Sequence, residues 1–214
     1  AGVDVNAVGK NEHGNESTAL WLAARGLHDG RKGALKLAKL LVQYGADVNA
    51  MGRRVAPGNH TDGNESSPLW WSARAMSEGR EGALELAMLL VEQGADVNAV
   101  ARRSGGSKES TPLYWAALAV YEGKDDGFDA LVLATVLVQK GADVNAAGKE
   151  GGYECTLLCF AARAVSKAEK AEETSREEEV APQLVKLLLS AGARLAADEI
   201  KECQGIIDSV MGGN

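Results

Sequence analysis

The six residues GADVNA stand at 45–50, at 94–99 and again at 141–146 of this 214-residue chain. A near copy, GVDVNA, occupies 2–7, and a decayed copy, GARLAA, occupies 192–197. The glycines that open the five copies are separated by 43, 49, 47 and 51 residues. A motif that returns at a period of roughly 20–50 residues indicates an architecture of stacked repeats.

An amphipathic segment precedes each full copy, as in ALKLAKLLVQY at 34–44 and ALELAMLLVEQ at 83–93. Their leucines recur at intervals of three and four, which predicts a helix with one apolar stripe. The glycine that follows predicts the end of the helix, because the position after a helix commonly needs a left-handed backbone. Asp47 and Asn49 are expected to bond to the backbone of the turn around them. The hexapeptide is therefore interpreted as a helix stop followed by a turn.

A second motif follows a variable polar loop in each unit: TALWLAA (18–24), SPLWWSA (67–73), TPLYWAA (111–117) and TLLCFAA (156–162). Serine or threonine at its start predicts a helix N-cap, and Pro68 and Pro112 occupy the first helical position, where proline is tolerated. The paired small residues allow a neighbouring helix to approach closely. Each unit is thus predicted to be a helix, a short turn, a second helix, a glycine stop and a polar hairpin-like loop.

The two motifs, in this order, resemble the ankyrin repeat, whose TPLHxAA opening and GADVNA ending are matched almost letter for letter over 1–197. The resemblance implies an all-α fold, an ankyrin-type α-solenoid of stacked antiparallel helix pairs with hairpin loops projecting from one edge. We expect a single solenoid domain. Its parts are the end of a preceding repeat (1–7), repeats at 8–50, 51–99, 100–146 and 147–197, the last with a charged helical arm, and a C-terminal capping helix (198–214).

The units depart from the family in length and in one side chain. They exceed the roughly 33 residues of a family repeat, and the longest hairpin loop occupies 50–66. The charged stretch 166–182 is expected to extend the first helix of the fourth unit before Pro182 starts the second. The family histidine is replaced by Trp21, Trp70, Tyr114 and Cys159, so we expect its hydrogen-bonding role to be absent. The rings are expected to pack between repeats, with stacking against a ligand as the alternative.

Two columns of charge recur at equivalent positions of the four units. Cations stand four residues after each asparagine of the hexapeptide: Lys10, Arg53, Arg102 and Lys149. Anions stand two residues before each capping residue: Glu16, Glu65, Glu109 and Glu154. One interpretation is structural: the columns pair with each other, at about 0–1 kcal/mol per exposed pair, or the glutamates favour the positive end of the following helix. The other is that the columns form a strip that recognises a partner. In the second interpretation Arg54 and Arg103 widen the strip, and the family alignment adds the concave-face positions Arg25, Arg74 and Arg163.

Composition and motif searches exclude several kinds of chemistry. A net charge of −7 and a pI near 5.1 argue against nucleic acid as a partner. No apolar run reaches the length of a membrane span. His13, His28 and His60 lie near no nucleophile in a recognisable catalytic order, so we expect neither an enzyme nor a cofactor. Cys155 and Cys159, with Cys203 and the distant His60, fall short of a zinc-site spacing, so no metal is expected.

The sequence favours a non-catalytic protein–protein interaction module that binds another protein, with an acidic surface as one candidate, through hairpin tips and the concave face. Two alternatives stay open: a permanent structural or linker subunit of a larger assembly, and the targeting repeats of an enzyme whose catalytic domain lies outside this chain. We expect charge reversal at Arg53, Arg54, Arg102 and Arg103 to weaken partner binding without lowering the melting temperature. The sequence does not indicate whether the chain associates with copies of itself.

Cysteine usage bears weakly on the cellular compartment. Three cysteines are too few and too clustered for a disulfide framework, which favours the cytoplasm or another reducing compartment. The chain begins with Ala1 inside a repeat tail, so we expect an upstream segment to have been removed. A targeting peptide within that segment stays an open alternative.

Overall fold

A computed structural model of the chain describes residues 4–56, 59–101, 110–123, 127–146, 148–150, 153–170 and 177–212. Within these residues, eight helices follow one another as four pairs. The pairs are α1 (Ala19–His28) with α2 (Ala34–Gln43), α3 (Pro68–Ser77) with α4 (Ala83–Glu92), α5 (Pro112–Glu122) with α6 (Phe128–Gln139), and α7 (Leu157–Lys170) with α8 (Glu177–Ser190). A last helix, α9 (Ile200–Gly212), follows the fourth pair.

Capping side chains and glycines define the helix ends, as the two motifs predict. The hydroxyls of Thr18, Ser67, Thr111 and Thr156 each accept a hydrogen bond from the backbone N–H three residues later, at 3.2–3.3 Å. These bonds satisfy N–H groups that a helix start leaves without partners. After the second helix of each pair, the glycine of the hexapeptide takes a positive φ of 82° to 87°. The expected alternation of capped starts and glycine stops is confirmed.

The pairs stack in register and form the solenoid. α1, α3, α5 and α7 pack in one row, α2, α4, α6 and α8 pack in a second row, and α9 closes the stack against α7 and α8. Leucines from the second helices form much of the core between the rows: Leu86, Leu90, Leu133, Leu137, Leu184 and Leu188 have no exposed surface. The ankyrin-type solenoid is therefore confirmed. Among the described residues, no helix has both the length and the apolar character needed to cross a bilayer.

Short antiparallel strands form the bases of the hairpin loops. They are β1 (Gly9–Lys10) with β2 (Glu16–Ser17), β3 (Gly52–Ala56) with β4 (Asn59–Ser66), and β5 (Gly148–Glu150) with β6 (Tyr153–Cys155). β2 also pairs with β3, so the first two hairpins join in a four-stranded sheet of order β1-β2-β3-β4. An all-α description does not anticipate this sheet. It forms because an extended hairpin presents unpaired backbone groups that a neighbouring hairpin can bond.

The asparagines of the hexapeptide connect neighbouring units. The Oδ1 atoms of Asn6, Asn49, Asn98 and Asn145 each accept a backbone N–H from the next copy of the motif at 2.7–2.9 Å. Their Nδ2 atoms each donate to the carbonyl of the next glycine stop at 3.0–3.3 Å. We call these four residues the asparagine ladder. Asp47 Oδ1 accepts the Asn49 N–H at 2.9 Å, as expected for the turn, but the expectation of a local role for asparagine was wrong.

The C-terminal region differs from expectation at two places. α7 extends to Lys170, as expected, but α8 begins at Glu177 and contains Pro182, so the proline does not start the helix. Residues 171–176 lie outside the described part of the chain. On α9, Ile207 is buried and Ile206 and Val210 are partly buried, whereas Ile200 is 48% exposed. Glu199, directly before α9, and Cys203 are buried, because both face the start of α7.

Candidate functional site

The aromatic side chains of the first helices form a continuous row through the stack. Successive ring pairs meet edge to face: Trp21–Trp71 at 5.8 Å, Trp71–Trp70 at 4.9 Å, Trp70–Trp115 at 5.4 Å, Trp115–Tyr114 at 5.8 Å and Tyr114–Phe160 at 5.3 Å between centroids. Edge-to-face contact is the arrangement that the ring quadrupoles favour. The expectation that these rings pack between units is confirmed, and it accounts for their burial.

Two of the four tryptophans also form hydrogen bonds between units. Trp21 Nε1 donates to the carbonyl of Ser66 at 2.9 Å, and Trp70 Nε1 donates to Ser110 Oγ at 3.0 Å. The expectation that the hydrogen-bonding role of this position is absent was therefore wrong at Trp21 and Trp70. An indole N–H reaches the hairpin base of the next unit, because each ring lies against the strand residues that precede the next helix.

Two of the three expected concave-face arginines lie on the aromatic row. The guanidinium of Arg25 lies 5.8 Å and 5.9 Å from the ring centroids of Trp21 and Trp71. Arg74 lies 5.0–5.7 Å from Trp70, Trp71 and Trp115. Such cation–π contacts stabilise by about 0.5–2 kcal/mol each. The third, Arg163, forms two hydrogen bonds of 3.0 Å to Glu202 of α9 and so joins the capping helix to α7.

The charge columns pair with each other where the structure describes them. Lys10 Nζ lies 2.9 Å from Glu16 Oε1, and Glu16 lies opposite Arg53, which in turn lies opposite Glu65. The hydrogen bond from Lys10 and its charge lower the pKa of Glu16, and Arg53 contributes further. Lys149 lies opposite Glu154 in the strand register, although their side chains lie outside the described part. Arg102, Arg103 and Glu109 lie outside it altogether.

Arg54 belongs to neither paired column and lines a groove. The groove has a volume of about 280 Å³ and lies between the first hairpin, α1 and β3. It is lined by Gly9, Lys10, Asn11, Asn15, Ser17, Trp21, Leu22, Arg25 and Arg54. The lining thus contains three cations and no carboxylate. Sequence reasoning singled out each of the three cations separately. It did not predict that the pairing of β2 with β3 brings them to one groove.

Arg25 is incompletely paired at the wall of this groove. Its Nε lies 3.8 Å from Asp29 Oδ2, which is too far for a hydrogen bond. Within the described part of the chain, this buried Nε–H has no hydrogen-bond acceptor. Burial lowers the pKa of the Arg25 guanidinium, and the positive charge of Arg54 lowers it further. An anion in the groove would accept a hydrogen bond from this Nε–H and would offset the repulsion between Arg25 and Arg54.

The three cysteines and one glutamate meet at the other end of the stack. Cys155 ends β6, so it does not share a helix face with Cys159, which lies in the first turn of α7. Their Sγ atoms and a carboxylate oxygen of Glu199 all lie within 4.8 Å of one another. Cys159 Sγ is also 3.1 Å from Cys203 Sγ. We call these four residues the thiol–carboxylate cluster. His60 lies in β4, and its side chain is outside the described part.

Helix pairs with capped starts, glycine stops and a continuous inter-unit core define a repeat protein of the stacked-helix class. The ankyrin repeat family model matches residues 15–53 and 64–102. These two stretches of the chain are therefore ankyrin repeats. Members of this family are generally non-catalytic and generally mediate protein–protein interaction. A comparison with curated proteins finds no match.

Proposed function

We propose that this chain is a non-catalytic protein-binding module that receives an acidic, partly apolar segment of a partner protein in the groove at Lys10, Arg25 and Arg54. One observation carries the proposal: three cations line the groove without a carboxylate among its lining residues. In a chain with a net charge of −7, such a local excess of positive charge favours an acidic partner by electrostatic complementarity.

The groove offers different chemistry on its two sides. Arg54 is exposed, and the described part of the chain gives it no ion-pair partner, so its guanidinium can bind a carboxylate with two parallel hydrogen bonds. Leu22 is 53% exposed beside the buried ring of Trp21 and can contact an apolar side chain. The stacked helices hold both sides in place, so little conformational entropy is lost on binding.

The paired cations have a different role in this proposal. Lys10 is bonded to Glu16, and Arg53 lies between Glu16 and Glu65 in the sheet register. Their charges are therefore partly neutralised, and we assign Arg53 mainly to the hairpin sheet. Arg25 and Arg54 supply the charge that the partner meets.

The test measures binding of fluorescent peptides by anisotropy, using an acidic peptide with interspersed leucines and the same peptide with lysine at each acidic position. Arg54→Glu should weaken binding of the acidic peptide by about 10–100-fold, because a charge-assisted hydrogen bond is lost and repulsion takes its place. Lys36→Glu is the matched control, since Lys36 is exposed on α2, away from the groove. Both variants should keep the wild-type melting temperature.

Two results would contradict the proposal. One is equal affinity for the acidic and the lysine-containing peptide. The other is equal weakening by Arg54→Glu and Lys36→Glu, which would indicate a response to net charge alone. Raised salt should weaken wild-type binding, since part of the groove is open to solvent and its charges are screened.

A further inference from the structure

The thiol–carboxylate cluster lies at the junction between the last helix pair and the capping helix. Cys155 and Cys159 flank the start of α7, and Glu199 and Cys203 flank the start of α9. All three cysteines of the 214-residue chain are in this one place. The two segments carry matching pairs, Cys-x3-Cys and Glu-x3-Cys. The Cys-x3-Cys pair alone falls in the Cys-x2–4-Cys range of zinc sites, and the sequence showed no second pair of ligands because the fold brings Glu199 and Cys203 to it from some 40 residues away.

The geometry of the donors suits a small ion. Zinc binds thiolate sulfur at about 2.3 Å and carboxylate oxygen at about 2.0–2.2 Å, so two donors of one ion lie at most about 4.6 Å apart. The sulfurs of Cys155 and Cys159 and an oxygen of Glu199 lie within 4.8 Å of one another. Cys203 lies outside this set of three but next to it, with its sulfur 3.1 Å from that of Cys159. Around a tetrahedral ion the Cys159 and Cys203 sulfurs would separate from 3.1 Å to about 3.8 Å, and Cys203 would shift toward the other two donors to complete a set of four.

Glu199 is held in place by its own hydrogen bonds. Its Oε1 accepts the backbone N–H of Thr156 at 2.7 Å, and its Oε2 accepts the Thr156 hydroxyl at 2.6 Å and the Ala196 N–H at 2.9 Å. These bonds alone can explain why this carboxylate is buried. They also orient it, and hydrogen-bonded carboxylates are the usual form of this ligand in metal sites. They do not explain why the thiols of Cys155 and Cys159 lie beside it, with the thiol of Cys203 against Cys159.

We propose that Cys155, Cys159, Cys203 and Glu199 bind one zinc ion, and that this ion fixes the capping helix α9 to the fourth helix pair. Three thiolates and a carboxylate around a divalent cation form a closed four-coordinate set, which is the pattern of structural rather than catalytic zinc. The three thiol protons leave for solvent on binding. The bound set carries a net charge of −2, and the guanidinium of Arg163 lies one helical turn from Cys159 to offset part of it.

Zinc fits better than the other soft-ligand chemistry of this site. A disulfide between Cys159 and Cys203 would need the sulfurs to close from 3.1 Å to about 2.05 Å. It would also need an oxidant such as a peroxide to reach Cys159 and Cys203, which have no exposed surface. It would leave Cys155 without a role. Metal binding uses all four residues.

The experiment uses the full chain, kept reduced and freed of metal by a chelator. Titration with Zn²⁺ should show one ion bound per chain. Titration with Co²⁺ as a spectroscopic substitute should give the visible bands of a tetrahedral site and a thiolate charge-transfer band. Hydrogen exchange should slow in α7 and α9 on zinc binding but not in α1 or α2, which lie at the opposite end of the stack.

The variants identify the ligands. Cys159→Ser, Cys203→Ser and Glu199→Gln should each lower zinc affinity by at least about 100-fold, since loss of a ligand exceeds the 10–100-fold effect of losing an outer partner. Asp198→Asn, at the exposed neighbour of Glu199, is the matched control and should leave affinity unchanged. If a serine variant does not fold, the Co²⁺ spectrum of the wild type decides.

Three results would overturn the proposal. These are a wild-type chain that gives no thiolate charge-transfer band with Co²⁺, zinc binding that persists in folded Cys159→Ser, and a chain isolated with a Cys159–Cys203 disulfide that zinc does not displace under reductant. None of these results bears on the peptide test above, since the groove at Arg54 lies at the other end of the stack.

Discussion

The asparagine ladder shows why one residue type returns in every unit. Each ladder asparagine offers an acceptor and a donor from one side chain, and the next unit presents a backbone N–H and a carbonyl to meet both. Aspartate could accept but not donate, and serine is too short to do both. The ladder stops at the fourth unit, where Ala196 stands in the asparagine position. There the Ala196 N–H donates to the carboxylate of Glu199 instead.

The ladder gives a first prediction, at Asn98. Asn98→Ala removes the bonds to the Asp143 N–H (2.7 Å) and the Gly141 carbonyl (3.0 Å). We expect a loss of about 1–3 kcal/mol in the free energy of unfolding, because two backbone groups lose their partners between units. Urea denaturation followed by circular dichroism measures this loss. Asn98→Asp keeps the acceptor and should lose less; an equal loss in both variants would contradict the assigned roles.

Between elements, Trp21 of α1 fits tightly against Gly52 of β3. A Cβ atom placed on Gly52 would lie 2.3–2.5 Å from three atoms of the Trp21 ring. The ring cannot easily move, because Trp21 Nε1 is bonded to the Ser66 carbonyl and hydroxyl at 2.9 Å and 3.2 Å. The first helix pair and the second hairpin therefore fit together because residue 52 is a glycine and has no side chain.

A second prediction follows for this contact. Gly52→Ala should lower the free energy of unfolding by about 1–3 kcal/mol, as overpacking of a fixed interior does. Gly9 is the matched control, since it holds the same hairpin position in the first unit and its added Cβ would meet only the Ser17 carbonyl at 3.8 Å. Gly9→Ala should change stability by less than about 0.5 kcal/mol. Equal effects of the two substitutions, measured by urea denaturation, would show that the ring does not confine Gly52.

The elements themselves could be predicted from the sequence, but the sites between them could only partly be predicted. Leucine spacing, capping hydroxyls and glycine stops are local signals, and each helix follows from residues within it. The groove at Arg54 depends on the pairing of β2 with β3, and no residue pattern in the sequence predicts that pairing. Glu199 lies outside both repeated motifs and is some 40 residues from Cys155 and Cys159. The available signal was the match of its Glu-x3-Cys spacing to the Cys-x3-Cys pair.

At the scale of the whole molecule, the two ends of the stack differ. α9 covers the last pair, whereas the outer face of the first pair exposes Leu37 (49%), Leu40 (42%) and Tyr44 (76%). Leu86, the equivalent of Leu37 in the second pair, has no exposed surface. An apolar face of this kind favours contact with another surface, and it keeps the hypothesis of a permanent subunit open beside the binding module.

The difference between the ends gives a third prediction, in which the same substitution is made at equivalent positions of two nearly identical helices. Leu86→Ala in α4 should lower the free energy of unfolding by about 2–5 kcal/mol, because it leaves a cavity between the rows. Leu37→Ala in α2 removes a half-exposed side chain and should cost less than about 1 kcal/mol. Helix propensity changes equally at both sites, so the difference reports position in the stack alone. Urea denaturation of the isolated chain measures both values, and equal losses would mean that the outer face of α2 is covered in solution, by a second copy of the chain or by residues of its own.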